Sequence, residues 1–229
     1  MATTALCNSF KVELLQAGHC FNGPITSLSC SNTSGSNSLT GISSTAGVAQ
    51  GASVTGTGVP ANTTIASVSS SASLALSQNT TANVSSVNIT SDVFKFALIK
   101  VSPSLTYGAT QTNYGSGSGT PTTSNIGTDE ATGTGYTAGG IALTNVTPAL
   151  SSTTATTSFS PSPSLTSATI SVTAGIVYNT TTRLGAAAAP LNNRTVGVYD
   201  FGGTQTVTNG TMTFTMPVNA AGTALIQLN

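Results

Sequence analysis

The chain has 229 residues, with 5 Lys+Arg against 5 Asp+Glu and a formal net charge of zero. Charged residues make up 4% of it, against roughly 25% in an ordinary soluble domain, so hydration falls to Ser, Thr, Asn and Gly. This balance excludes nucleic acid as a partner, because so few scattered bases cannot neutralise a phosphate backbone; the 38% hydrophobic content at zero net charge excludes general disorder.

The first predicted element is a helix from about Ser9 to Ala17, capped by Asn8 or Ser9 and stopped by Gly18. Phe10, Leu14 and Ala17 or Gly18 share one of its faces. It is too short to stand alone, so Phe10 and Leu14 are its expected docking contacts. The opening MATTALCNSFKVELL has neither the positive n-region nor the apolar h-region of a signal peptide. Cys7, Cys20 and Cys30 are therefore expected as free thiols of a protein made in a reducing cytoplasm. No apolar run approaches the roughly 18–20 residues of a membrane span, so no membrane partner is expected.

Residues 23–90 hold no charged residue, histidine or aromatic residue, yet short β-patterned pieces recur. These are Ser38–Ile42, Ala52–Val54, Thr64–Val68, Ser73–Leu76 and Val84–Ile89, with Gly56 to Asn62 reading as a turn. The even spacing of Leu, Ile and Val favours a small β-module, residues 22–90, over a flexible linker. It interrupts a main domain formed by residues 1–21 and 91–229.

The main domain resumes at Asp92, and Val93–Val101 is its strongest predicted strand. Residues 102–135 read as loop, with a flexible Gly115–Gly119. Strands are expected at Ile141–Val146, Ala155–Phe159, Leu165–Val172 leading into Gly175–Asn179, and Thr195–Phe201, which Gly202-Gly203 breaks. Thr211–Met216 follows, with Met212, Phe214 and Met216 on one face, then Pro217 as a stop and Ala224–Leu228 as the last strand. The expected class is all-β: a β-sandwich core with one short N-terminal helix and an inserted small β-domain.

The chemistry-bearing residues do not assemble into a catalytic set, and the chain is not expected to be an enzyme. His19 is the single histidine, no G-x-S-x-G occurs, and adjacent His19 and Cys20 on a helix end would point about 100° apart. The cysteines lack the paired spacing of structural zinc sites. Of the carboxylates, Asp129-Glu130 reads as a solvated turn. No cofactor or metal is expected. What remains is a binding or structural role, in which Phe10, Leu14, Tyr107, Tyr114 and Tyr136 are the candidate interface or docking residues. With zero net charge, a free monomer has little electrostatic defence against association, which points to an assembled protein.

Asn8-Ser9-Phe10-Lys11-Val12-Glu13-Leu14-Leu15, with His19 and Phe21, resembles the opening of a family of small structural proteins of tailed-phage virions. Asp92-Val93-Phe94-Lys95-Phe96-Ala97-Leu98 and Gly133–Leu143 resemble later motifs of that family in the same order. So do Val177-Tyr178-Asn179, the Ala-rich 186–189, Val198–Gly202, and Phe214, Pro217 and Leu225-Ile226. The chain departs from the family in its long insertion, which is similar to β-modules of phage virion proteins through Val54–Pro60. The resemblance implies a virion component. The first expectation is a capsid decoration or cement protein that binds and stabilises the lattice of the major capsid protein as a homo-oligomer, a trimer at symmetry points. The alternative is a tail, collar or fibre-associated protein whose insertion adheres to the host surface. Against adhesion, residues 23–90 offer none of the aromatic platforms or carboxylates that sugar binding wants.

Overall fold

The computed structural model describes residues 1–15, 19–21, 25–46, 48, 50–90, 92–114, 126–181, 183–184, 190–191 and 193–228. The expected helix stop at Gly18, the Gly115–Gly119 linker and the Ala-rich 186–189 lie outside these residues. In chain order the elements are β1 (Ala5–Leu6), α1 (Asn8–Leu15), β2 (Ile25–Ser29), β3 (Ser38–Leu39), β4 (Ser53–Thr55), β5 (Ile65–Ser70), β6 (Ser73–Leu76), β7 (Ser86–Thr90), β8 (Phe94–Lys100), β9 (Ile141–Leu143), β10 (Ala149–Ser151), β11 (Thr154–Thr157), β12 (Ser164–Asn179), β13 (Arg183–Leu184), β14 (Pro190–Leu191), β15 (Arg194–Thr213) and β16 (Ile226–Leu228). The fold is all-β with one short N-terminal helix. The chain divides into two compact units, Met1–Gln16 with Val93–Asn229, and Ala17–Asp92.

The first unit is built on a five-stranded sheet of order β1-β15-β12-β8-β9, antiparallel throughout. Strand β8 is interior, between β12 and β9, and Phe94, Phe96, Ala97, Leu98 and Ile99 are all buried, as a strand covered on both faces requires. Strands β12 and β15 form one long hairpin. The predicted break at Gly202-Gly203 is not a break: Val172 pairs with Gln205 and Ala174 with Asp200, so residues 201–204 bulge opposite Thr173 and the strand runs on. Gly202 (φ 73°) and Gly203 (φ 152°) supply backbone that other residues rarely adopt, which lets the ladder absorb the extra residues. A smaller sheet, β10-β11-β16, belongs to the same unit, and Phe159, which follows β11, packs on Phe94 with ring centroids 5.4 Å apart.

Gly175 on β12 makes room for this core. A Cβ built there would lie 2.2 Å from Phe96 Cζ, so the Phe96 ring occupies the space a side chain would take. Gly175→Ala is expected to cost about 1–3 kcal/mol by overpacking, read as a lower midpoint in urea at unchanged slope. A neutral result would mean that the ring has another low-energy seat.

The second unit is two three-stranded sheets, β2-β7-β4 and β3-β6-β5, around an aliphatic core. Leu39, Ile42, Ala52, Val54, Ile65, Leu74, Leu76, Val84, Val87 and Ile89, with Cys30, are buried there. Alternation sets which side chains face in: β7 reads exposed-buried-exposed-buried-exposed, with Val87 and Ile89 inward. The predicted turn at 56–62 is present. Gly58 has φ +83° and sits on Ala82, Val59 N donates to Gly56 O, and Thr63 Oγ1 caps Pro60 O at 2.7 Å. The ends of the unit are tied together: Cys20 N donates to Asp92 Oδ2 at 2.8 Å and Asp92 N returns to Cys20 O at 3.1 Å. The sequence reading set its boundaries at 21/22 and 90/91; the contacts set them at 16/17 and 92/93, so His19, Cys20, Phe21 and Asp92 belong to this unit.

Candidate functional site

Helix α1 is held more by charge than its sequence suggested. Phe10 is buried, as expected, but its buried companion is Glu13 rather than Leu14, which is half-buried. Glu13 forms an ion pair with Arg194 at the start of β15, with the Arg194 side chain 9% and the Glu13 side chain 4% exposed. Cys7, just before the helix, is fully buried. Burial, with the Glu13 carboxylate adding to it and Lys11 opposing, pushes the Cys7 thiol up to about 12, so it behaves as a small apolar group. Among the described residues Cys7, Cys20 and Cys30 are all buried and form no disulfide.

The three tyrosines proposed for docking converge on Asp129-Glu130, and here the reading of that dipeptide as a solvated turn is overturned. Asp129 closes a 3₁₀ turn over Gly127–Asp129 and is 1% exposed. Its Oδ1 accepts from Ser104 N and Ser104 Oγ, each at 2.8 Å, and meets Lys100 Nζ at 3.0 Å. Its Oδ2 accepts from Leu105 N at 2.8 Å and from Tyr107 Oη at 2.9 Å. Burial alone would raise this carboxyl; the backbone N–H groups of Ser104 and Leu105, then Lys100 and the Ser104 hydroxyl, outweigh it and hold the group well below the carboxylate range. Glu130 accepts from Tyr114 Oη at 2.7 Å, and from Tyr136 Oη at 2.6 Å and Gly139 N at 2.8 Å. Tyr136 Oη in turn accepts from Leu98 N on β8, and Tyr114 stacks on Tyr178 with centroids 4.1 Å apart. Burial first, then the adjacent carboxylate, raises the Tyr107, Tyr114 and Tyr136 hydroxyls, which stay protonated as donors.

Tyr107 is therefore buried, and Tyr114 and Tyr136 are half-buried with their hydroxyls turned inward. They anchor a loop region poor in apolar side chains to the sheet. Phe10 is likewise buried. Of the five candidate docking residues, none stands out from the surface.

A concave surface lies elsewhere. An open groove of about 770 Å³ runs along β15 and the segment after it. Phe96, Phe201, Phe214, Met212, Met216 and Leu225 supply much of its apolar lining, with Tyr199, Val207, Pro217 and Ala224; Thr and Gln side chains supply the rest, and among the described residues no lining residue is charged. Phe214 lies 5.3 Å from Phe96 and 5.5 Å from Phe201 between centroids, a three-ring cluster with tilted and edge-on contacts. The predicted common face of Met212, Phe214 and Met216 is the groove wall, although the strand itself ends at Thr213. Sequence alternation marked that face; it could not show that the face stays open. Among the described residues no helix is long and apolar enough to cross a membrane, and no group of three or more His, Cys, Asp or Glu could hold a metal ion. Comparison with family models, with curated proteins and with solved structures returned no match.

Proposed function

We propose that this chain is a structural virion protein of a tailed phage, seated as a decoration or cement protein on the lattice of the major capsid protein. One observation carries most of the weight. Of the five acidic residues, Glu13, Asp92 and Asp129 are buried, Glu130 is half-buried against tyrosines and only Asp200 is exposed. Most of the acidic groups go into internal ties; Lys11 and Asp200 are exposed and Lys95 and Lys100 partly so, and the rest of the described outside is mainly hydroxyls, amides and methyls. Such a surface repels nothing and hydrogen-bonds readily, which suits permanent residence among neighbouring subunits rather than life as a free monomer. The motif resemblance points to the same kind of assembly.

The test is copy number in purified particles, by densitometry against the major capsid protein. A ratio near parity is expected for a protein that follows lattice symmetry. A ratio about two orders of magnitude lower would move the chain to the tail or collar. Because this surface carries few charges, raising salt to about 1 M, where charges are screened within ~3 Å, is expected to leave the protein bound. Release by salt alone would count against the seat described.

A further inference from the structure

Every strand of the second unit finds its partners inside that unit. Strands β2, β7 and β4 form one sheet and β3, β6 and β5 the other, and the isolated bridges Ser31–Thr40 and Ser53–Thr64 close within it as well. Its interior comes from its own residues, with Leu39, Ile65, Leu74 and Leu76 at most 1% exposed. Its two ends meet through the hydrogen bonds that Cys20 and Asp92 exchange. The span Ala17–Asp92 is longer than the roughly 55–65 residues at which many domains fold alone. The first unit is equally self-contained, its sheets drawing only on strands up to Leu6 and from Phe94 onward.

The two interiors differ in kind. Residues 23–90 contain no aromatic ring, and the core there is Leu, Ile, Val and Ala with Cys30. The first unit packs Phe94 on Phe159, and Phe96 and Phe201 on Phe214, and adds the ion pairs Glu13–Arg194 and Lys100–Asp129. Aromatic side chains bury about 150–250 Å² each, and a smaller unit hides a smaller share of its surface, so the second unit is the weaker of the two. We infer that the second unit is a separate folding unit that opens while the first stays folded, and that its opening uncovers the Cys20 and Cys30 thiols. No strand pairing of the first unit has to break for this. The opened segment stays tethered at Gln16 and Val93 as a long loop, and the entropic cost of closing a loop grows only slowly with its length. Proteins open in such cooperative pieces where each piece holds its own contacts. The opening is a property of the isolated chain and does not rest on the virion reading.

The composition supplies separate probes for the two units in the full chain. All five tyrosines lie in the first unit and there is no tryptophan, so intrinsic fluorescence reports on that unit alone. Cys7 is buried in the first unit, and Cys20 and Cys30 are buried in the second. The experiment is a urea titration followed by tyrosine fluorescence and by brief pulses of iodoacetamide, with alkylation at each cysteine read by peptide mass. Cys20 and Cys30 are expected to label together at a lower urea midpoint than Cys7, whose midpoint coincides with the loss of the tyrosine signal. Leu74→Ala cuts the core of the second unit, and is expected to lower the Cys30 midpoint by about 1 M or more while the tyrosine midpoint stays within about 0.2 M of the parent. A variant whose Cys30 labels without urea while the tyrosine midpoint holds gives the same answer in stronger form. One shared midpoint for Cys7, Cys30 and tyrosine, moved as a whole by Leu74→Ala, would overturn the inference. So would labelling of Cys7 before Cys30, since the first unit would then be the one that opens.

Discussion

Replacing Arg194 with Met is expected to destabilise the first unit by about 3–5 kcal/mol, the cost of leaving one member of a buried ion pair without the other. Glu13 and Arg194 are 3% and 7% exposed, so water cannot take over for the missing guanidinium. The local consequence follows from length. Helix α1 is 8 residues, too short to persist by its own hydrogen bonds, and its sequence places only Phe10 and Glu13 deep in the unit. Without the guanidinium, the buried Glu13 carboxylate loses its paired charge, and the short helix is held less firmly over Phe10. The control is the double variant Glu13→Leu with Arg194→Met. Removing both charges takes away the desolvation cost together with the attraction, so the double variant is expected to recover much of the loss. Denaturant unfolding of the four proteins in the cycle measures the coupling. A single variant within about 0.5 kcal/mol of the parent would show that the pair is dispensable.

Asp129→Asn carries the second large effect, about 2–3 kcal/mol at neutral pH. The carboxylate offers acceptors on both oxygens, and both are used: Ser104 N, Ser104 Oγ and Lys100 on one, Leu105 N and Tyr107 Oη on the other. An asparagine has one carbonyl oxygen, so its NH₂ must face a set of donors whichever way the amide turns. The loop 104–107 and the turn 127–129 then lose their shared anchor. The pH dependence has a definite sign. The Asp129 carboxyl is held below its unfolded value, so its contribution is complete above about pH 4, where the unfolded group is ionised. It is lost progressively as pH falls further toward the folded value. The parent is therefore expected to lose stability between neutral pH and pH ~3 more steeply than the variant, in parallel urea titrations. Equal slopes would mean that other carboxylates dominate acid unfolding.

Strands were legible where side-chain period dictates them. Phe94 to Ile99 has too much apolar content for anything but a central strand, and Val87 and Ile89 alternate cleanly onto the core of the second unit. The aromatic-free insertion was legible as folded because its aliphatics recur at spacings a linker does not need. The polar interior was not. Nothing local distinguishes Glu13 from a solvated helix acid or Asp129-Glu130 from a surface turn; their burial depends on Arg194, some 180 residues along the chain in the first case, and on Ser104, Tyr107, Tyr114 and Tyr136 in the second. The tyrosines were picked out as candidate contacts, and they make contacts, but inward ones. Gly202-Gly203 misled because glycine both ends strands and permits wide bulges, and only the pairing of Val172 with Gln205 tells which. The open groove escaped because openness is a property of what fails to cover a face.

The paired hydrogen bonds between Cys20 and Asp92 bear on how such a chain could have been put together. They bring the entry and exit of the second unit to one spot, so the polypeptide before and after it sees little more than a tight turn. A segment closed in this way is the kind of site at which insertion is tolerated, and its two sheets find all their strand partners within the unit. Residues 23–90, free of charge and aromatic rings, thus carry their own composition as well as their own core.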